Sequence, residues 1–343
     1  MGLLERVHDR ATRAIHSAKT RVRVSSPGTK SYGTPSRGPA PHTQAQSEPD
    51  RSAPASVSEA STELAGDFYY CQAAGSDSRG RIARVKTVRI NPGGPDRATR
   101  MYLIADDASR YHLSHLFRNQ FEYAPRLEVT SAGETLVLDW PYGVPEDAHR
   151  LVKVLLNHPA IPLAGLGNLN LAIALDRYKT INTRLPASKW SNTRSGQAIN
   201  DLKYQRHTAT AMLRIDPDFH YLANGLSDVV QSHPAYSRAS VVTSVPGSNG
   251  TGGSLGELLG RAVARKTGKP FVTALGPLRG PRKGDNPPDV TGAFYFEDQI
   301  CGSCIVVDDV LWTGMSQNET ARAARAVGAT EVFGLAAAKT MRN

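Results

Sequence analysis

Asp308 and Asp309 stand side by side at the end of an apolar run, just ahead of a turn, Thr313-Gly314-Met315-Ser316, that opens a helical pattern. Adjacent carboxylates accept hydrogen bonds from hydroxyls or share a divalent cation, and they repel a bare phosphate. The start of a helix does the reverse, because its unpaired N–H groups and positive dipole end attract anions. The acids therefore suit the hydroxyls of a sugar, or a Mg²⁺ ion that offsets their charge, beside an anion seat. A second loop, Pro246–Gly253, also leads into a helical pattern; Ser248, Asn249, Thr251 and Ser254 supply neutral donors, and the loop holds no Lys or Arg. Two such junctions on one sheet edge predict two anion sockets for one substrate.

Other spacings point away from chemistry. Cys301-Gly-Ser-Cys304 has metal-ligand spacing, but Cys71 is the sole further cysteine, so core packing is expected over zinc. His112-Leu-Ser-His115 has no second ligand pair and reads as solvated or locally bonded histidines. Lys203 and Tyr204 read as packing residues, and Ser254 and Ser316 are explained as well by helix capping as by a ligand.

The elements that must position these residues form a repeated unit of strand, loop, capped helix, glycine stop and strand. Its first copy is Ser240–Ser244, the loop, the capping box Ser254-Leu-Gly-Glu257, a helix to about Lys266, Gly268 and the strand Phe271–Leu275. Its second is Ile305–Val307, the loop Asp309–Met315, a capping box Ser316-Gln-Asn-Glu319, a helix to Val327, Gly328 and the strand Val332–Ala337. This alternation predicts an α/β fold with a parallel sheet and right-handed crossovers. Upstream, helices are expected at Glu146–Asn157, Asn168–Asp176, Ala198–Leu213 and Asp216–Gln231. Strands at Asp67–Gln72, Ile82–Ile90 and Arg100–Ala105, with a strand, turn and strand over Leu127–Asp139, predict a small β-rich domain. Residues 25–62 hold almost nothing large to bury and predict a disordered linker; Leu3, Leu4, Val7, Ala11, Ala14 and Ile15 outline a short basic amphipathic helix before it. The expected organisation is a tail over 1–65, a β-rich domain over 66–145 and an α/β domain with a helical lead-in over 146–343.

The string Cys304-Ile-Val-Val-Asp-Asp-Val-Leu-Trp-Thr-Gly-Met-Ser316 resembles the phosphoribosyl-pyrophosphate signature of type I phosphoribosyltransferases. Leu202-Lys203-Tyr204, the loop after Val245-Pro246, and Asp289-Val-Thr-Gly-Ala-Phe294 resemble the ComF-type branch, named for a competence protein, over about residues 190–343. The resemblance implies a phosphoribosyltransferase-like parallel sheet with flanking helices. It implies that Asp308 and Asp309 hold the ribose hydroxyls, and that Thr313, Gly314, Met315 and Ser316 wrap the 5′-phosphate. Ser244, Gly247, Ser248, Asn249 and Gly250 become the pyrophosphate loop. The Gly- and Pro-rich stretch 276–292 becomes a mobile lid whose Arg279, Arg282 and Lys283 clamp pyrophosphate. The implied reaction displaces pyrophosphate from C1 of the ribose by a nitrogen nucleophile, with Mg²⁺ on the leaving group. Trp312 stands where relatives carry a small or polar residue, and purine salvage enzymes use an acid there that Trp cannot replace. The alternatives are a non-catalytic regulator that binds phosphoribosyl pyrophosphate or a nucleotide, and a DNA-handling protein of the competence type.

Composition bounds these readings. The 343 residues carry a formal charge of +10, with nine basic and six acidic side chains over 1–65 and twelve and nine over 233–343. The excess is spread evenly, which predicts a mild anion preference and weak, salt-dependent nucleic-acid binding. No apolar run reaches the length of a membrane span, and Met1–Val24 lacks the apolar core of a secretory signal. Three cysteines fit a reducing, cytoplasmic setting. A homo-oligomer is compatible with the sequence.

Overall fold

The computed structural model describes residues 85–91, 93, 97–130, 133–182, 184–204, 216–249, 252–279 and 289–340. The expected tail, the strand at 67–72, the far half of the helix expected to 213, and Gly250, Arg282 and Lys283 lie outside the described residues. In chain order the elements are β1 (Val85–Asn91), β2 (Thr99–Ala105), α1 (Asp107–Phe117), β3 (Arg126–Thr130), β4 (Gly133–Trp140), α2 (Glu146–Asn157), β5 (Leu171–Arg177), α3 (Arg194–Tyr204), α4 (Pro217–Ser232), α5 (Pro234–Ser237), β6 (Val241–Ser244), α6 (Leu255–Thr267), β7 (Gly302–Leu311), α7 (Met315–Ala326) and β8 (Ala329–Lys339).

Four strands form a parallel sheet in the order β5-β8-β7-β6. Its strands are apolar on both faces, as the continuous runs at Leu171–Leu175, Cys304–Val307 and Val332–Ala338 require. One face, with Ile305, Val307, Phe333 and Leu335, packs against α4 and α6 through Leu222, Leu226, Leu259 and Val263. The other face, with Val306, Val332 and Ala336, packs against α7 and against Val290, Phe294 and Ile300. Small residues on β8 let α7 approach closely: a Cβ at Gly334 would lie 2.6 Å from Gln317 Oε1. Gln317 is fully buried, and its Nε2 donates to the carbonyls of Val306 and Leu335, tying α7 to the two central strands.

A second sheet, antiparallel in the order β1-β2-β4-β3, precedes this one. Its inner face, with Val88, Met101, Leu103, Leu138 and Trp140, belongs to the same apolar cluster as α2 and the α4 and α6 side of the parallel sheet. The helix α2 bridges the two, since Leu151, Val152, Val154 and Leu155 are all buried. On the outer face Arg100 and Arg126 both pair with Asp139, whose side chain is 1% exposed.

Several expectations need correction. The strand β5, Leu171–Arg177, lies where a helix was expected at Asn168–Asp176; the apolar run Leu171–Leu175 is buried on both sides and carries no period that separates the two forms. The strand expected at Phe271–Leu275 reduces to isolated bridges, Val242 with Phe271 and Leu275 with Tyr295. The helix α1 went unread because its buried face includes Ser109 and His112, which break the apolar period. His112 is neither solvated nor locally bonded: its Nδ1 lies 3.2 Å from Nε2 of His233, and both rings are buried. No helix among the described residues is long and apolar enough to cross a membrane.

Candidate functional site

The two loop–helix junctions differ in a way that matters for ligands. At α6 the expected capping box is present: Ser254 Oγ accepts from the Glu257 N–H at 3.3 Å, and the Ser254 N–H donates to Glu257 Oε2 at 2.9 Å. Ser254 Oγ also lies 2.6 Å from Glu257 Oε2, and Gly268 ends the helix in the left-handed conformation at φ 68°. At α7 no capping box forms. The N-cap is Gly314, at φ +83° and with no side-chain cap, so Ser316 sits inside the first turn and is buried. Glu319, expected to complete that box, instead holds Arg322 at 2.8 Å. The helix begins two residues early because Gly314 alone among its neighbours adopts the left-handed turn at no steric cost. The N-terminus of α7 thereby lacks a capping side chain at Gly314, and of its first N–H groups that of Met315 donates to Thr313 Oγ1 at 3.4 Å.

That helix end borders a cleft of about 290 Å³ lined by Asp308, Trp312, Thr313, Gly314, Met315 and Ser316. These are five of the expected site residues, joined by the one residue that departs from the family pattern. Asp289, Val290, Val310 and Gln317 complete the lining. In the sequence, Asp289 and Val290 stand out only within the string Asp289–Phe294 that carries the resemblance. No signal marked Gln317, which enters the sequence reading only within the string Ser316-Gln-Asn-Glu319. The Gly314 turn is packed tightly, since a Cβ there would lie 2.7 Å from Leu166 Cδ1. Gly314→Ala is therefore expected to lower stability by about 1–3 kcal/mol through a left-handed non-glycine residue. Urea unfolding checks this, and an unchanged midpoint and slope would reject the account.

The two acids part company. Both lie within β7, which runs on to Leu311, and neither is in the loop after it. Asp308 faces the cleft, and its Oδ1 accepts the Asp309 N–H at 2.9 Å. Asp309 is absent from the cleft lining; its Oδ2 is held by Lys203 Nζ at 2.8 Å, from the last turn of α3. Burial works against the Lys203 ammonium, but Asp309 and then Asp308 more than offset it, and the Lys203 pKa is raised. Lys203, read from sequence as packing, is thus the counter-ion of the acid pair. An ammonium is bound at Asp309 Oδ2 and a backbone N–H at Asp308 Oδ1. Among the described residues no three side chains cluster as a metal centre. Cys304 is buried in β7, which pushes its thiol up to about 12, while Cys301 is exposed.

The remaining expected residues lie around α6. Ser244 is buried at the end of β6, and Gly247 rests on the capping box, where a Cβ would come 2.7 Å from Glu257 Oε2. Ser248 and Asn249 follow in the same loop, outside the cleft lining. Arg279 folds onto this loop: its N–H donates to the Ser248 carbonyl at 2.8 Å, and Nη2 donates to the Pro246 carbonyl. Its guanidinium lies 4.6 Å from the Phe294 ring centre, and Nε and Nη1 are buried without partners. The first turn of α6 also touches the acids, since a Cβ at Gly256 would stand 3.4 Å from Asp308 Oδ1.

No protein-family model and no curated protein matches the chain. Among solved structures, orotate phosphoribosyltransferase from Aeropyrum pernix is 22% identical over 51% of this chain and 76% of that chain, with a TM-score of 0.26.

Proposed function

We propose that the chain is a phosphoribosyltransferase-like protein whose cleft takes the ribose 5-phosphate end of phosphoribosyl pyrophosphate or of a nucleotide. The observation that carries this reading is the joining of Asp308 to the uncapped N-terminus of α7 in one cleft. The carboxylate accepts from ribose hydroxyls, and the N–H groups of the first turn receive the 5′-phosphate. The resemblance of residues 304–316 to the phosphoribosyl-pyrophosphate signature assigns the same two roles. Transfer of phosphoribose to a nitrogen acceptor remains part of the proposal as its catalytic form. It is tested by titrating the full chain with phosphoribosyl pyrophosphate, with and without Mg²⁺, while assaying pyrophosphate release. Binding that saturates supports the reading of the cleft, and the absence of any binding rejects it.

Trp312 decides what lies beyond the ribose. It is half-exposed and lines the cleft, and its carbonyl is fixed by Lys339 Nζ at 2.8 Å. An indole held beside a ribose site offers a stacking face to a base, an effect worth about 1–3 kcal/mol. Trp312→Thr is therefore expected to weaken a 5′-nucleotide by roughly 5- to 150-fold while leaving ribose 5-phosphate unchanged. Calorimetric titration of both ligands measures the difference, and equal losses for the two would remove the stacking role.

A further inference from the structure

We infer that the edge strand β3 docks a second copy of this chain, the two strands running antiparallel across a two-fold axis at Leu127. An edge strand presents a row of backbone N–H and C=O groups that another strand can pair, and folded chains blunt such edges with bulges, charges or a covering segment. Three of the four sheet edges are blunted in this way. β5 is covered by residues 159–161, where Ala160 bridges Ile173 and the Ala174 N–H donates to the Pro159 carbonyl at 3.0 Å. β6 is covered at Val242, which bridges Phe271 and whose carbonyl accepts from the Val272 N–H at 2.9 Å. β1 breaks register between Val85 and Thr87. β3 pairs with β4 in unbroken register from Arg126 opposite Val137 to Thr130 opposite Gly133, and among the described residues no strand or bridge covers its other edge.

The side chains of β3 say which partner fits. Leu127 lies opposite Leu136, on the inner face, yet is 57% exposed, and Val129 on the same face is 89% exposed. On the outer face Arg126 donates from Nε to Glu128 at 3.1 Å and from Nη1 to Asp139, which holds both charges of the strand in place. Residues directly opposite in an antiparallel pair lie on one face of the sheet, so a two-fold pair is centred on a residue. Centring on Arg126 or on Glu128 sets like charges against each other. Centring on Val129 sets Leu127 and Arg126 opposite residues beyond the strand. Centring on Leu127 sets Arg126 opposite the partner's Glu128 twice, Leu127 against the partner's Leu127, and Val129 against the partner's Pro125. Opposite charges and apolar pairs directly across strands are favourable, and like charges there are not. The strand is thus self-complementary in one register, as a closed two-fold dimer requires. The two four-stranded antiparallel sheets then join into one. No residue of β3 lines the cleft, so this surface is separate from the proposed ligand site and does not depend on its reading.

The full chain is followed by sedimentation velocity from about 1 to about 300 µM, a range that brackets a dissociation constant on the order of 10–100 µM, as suits so short an edge. Hydrogen exchange of residues 126–130 is read at both ends of the range. The expected result is a monomer that passes to a dimer and no further, with exchange across 126–130 slowing as it does. Glu128→Arg sets arginines opposite each other twice, and Leu127→Lys sets two ammoniums on the axis; each is expected to weaken the dimer at least about tenfold. Both positions are exposed in the single chain, thermal unfolding checks the fold of each variant, and either variant suffices where the other fails to fold. A wild type that stays monomeric at about 300 µM, association that runs past the dimer, a dimer with unchanged exchange at 126–130, or a dimer that survives either substitution in folded protein would overturn the inference.

Discussion

If the proposed cleft reading holds, Asp308→Asn is expected to weaken ribose 5-phosphate binding by about 10- to 150-fold, the equivalent of roughly 1.5–3 kcal/mol for hydrogen bonds to a charged acceptor. The substitution keeps the shape of the side chain and removes its charge, including its smaller part in holding Lys203. Asn Oδ1 still accepts the Asp309 N–H that Asp308 Oδ1 accepts now at 2.9 Å, so the backbone at the end of β7 keeps its bond. The Asp308 carboxylate faces the cleft. Asp309→Asn should behave differently, because its carboxylate is engaged by Lys203 and does not line the cleft. Its direct effect on affinity is expected to be several-fold smaller, on the order of a surface-type ion pair. Calorimetric titration of both variants, with thermal unfolding as the control for fold, separates the two acids. Equal affinity in wild type and a folded Asp308→Asn protein removes Asp308 from the site.

This asymmetry was out of reach of the sequence, where the two acids are adjacent and equivalent. The contiguous parts of the site were legible: the turn at 313–316 and the acid at 308 lie within one strand–loop–helix, and local spacing sets their neighbourhood. Lys203 comes from a helix more than a hundred residues earlier, and no pattern in the chain pairs it with Asp309. The capping box at Ser254 and Glu257 was legible as helix chemistry. That Gly247 would fold onto the same carboxylate depends on how the loop descends, which the residue types do not state. At 316–319 the capping-box pattern misled, because Gly314 offered an earlier start at a left-handed turn, and a glycine with that option outcompetes a serine two residues on. Strand β5 was hidden for a different reason. Five consecutive apolar residues fit a doubly covered strand and a buried helix turn equally well, and only its parallel pairing with β8 from Leu171 opposite Phe333 decides between them.

Acid should unfold this protein steeply, and the buried pair His112 and His233 is the reason. The Ala235 N–H donates to His233 Nδ1 at 3.2 Å, which places the ring proton on Nε2. His233 Nε2–H then donates to His112 Nδ1, so both rings are neutral and their tautomers are fixed by the chain of bonds. Burial drives the His112 pKa down from 6.5 to about 3, against a smaller opposing effect of the Ala172 backbone. Burial lowers His233 well below its ordinary value too, helped by His112, Arg238 and Arg150 around it. Those two arginines are both bonded to Asp147. With both folded-state values depressed, the stability that these rings permit is fully present above about pH 6.5. It is lost as the pH falls from there toward about 3, because the unfolded chain takes up two protons that the folded chain refuses. Each ring contributes a slope of about 1.4 kcal/mol per pH unit in that window, and the pair about twice that. His115 and His149 are also lowered, burial first, and add to the slope in the same sense. The comparison that isolates the pair is therefore with His112→Leu. At pH 7 this variant loses about 1–3 kcal/mol, since His233 Nε2–H is left buried without an acceptor. Between pH 6 and pH 4.5 its slope should be shallower than that of the wild type by about 1.4 kcal/mol per pH unit. Urea unfolding at half-unit steps of pH measures both quantities. Parallel slopes in the two proteins would show that the buried rings do not titrate on unfolding, and acid sensitivity would then have to come from elsewhere in the fold.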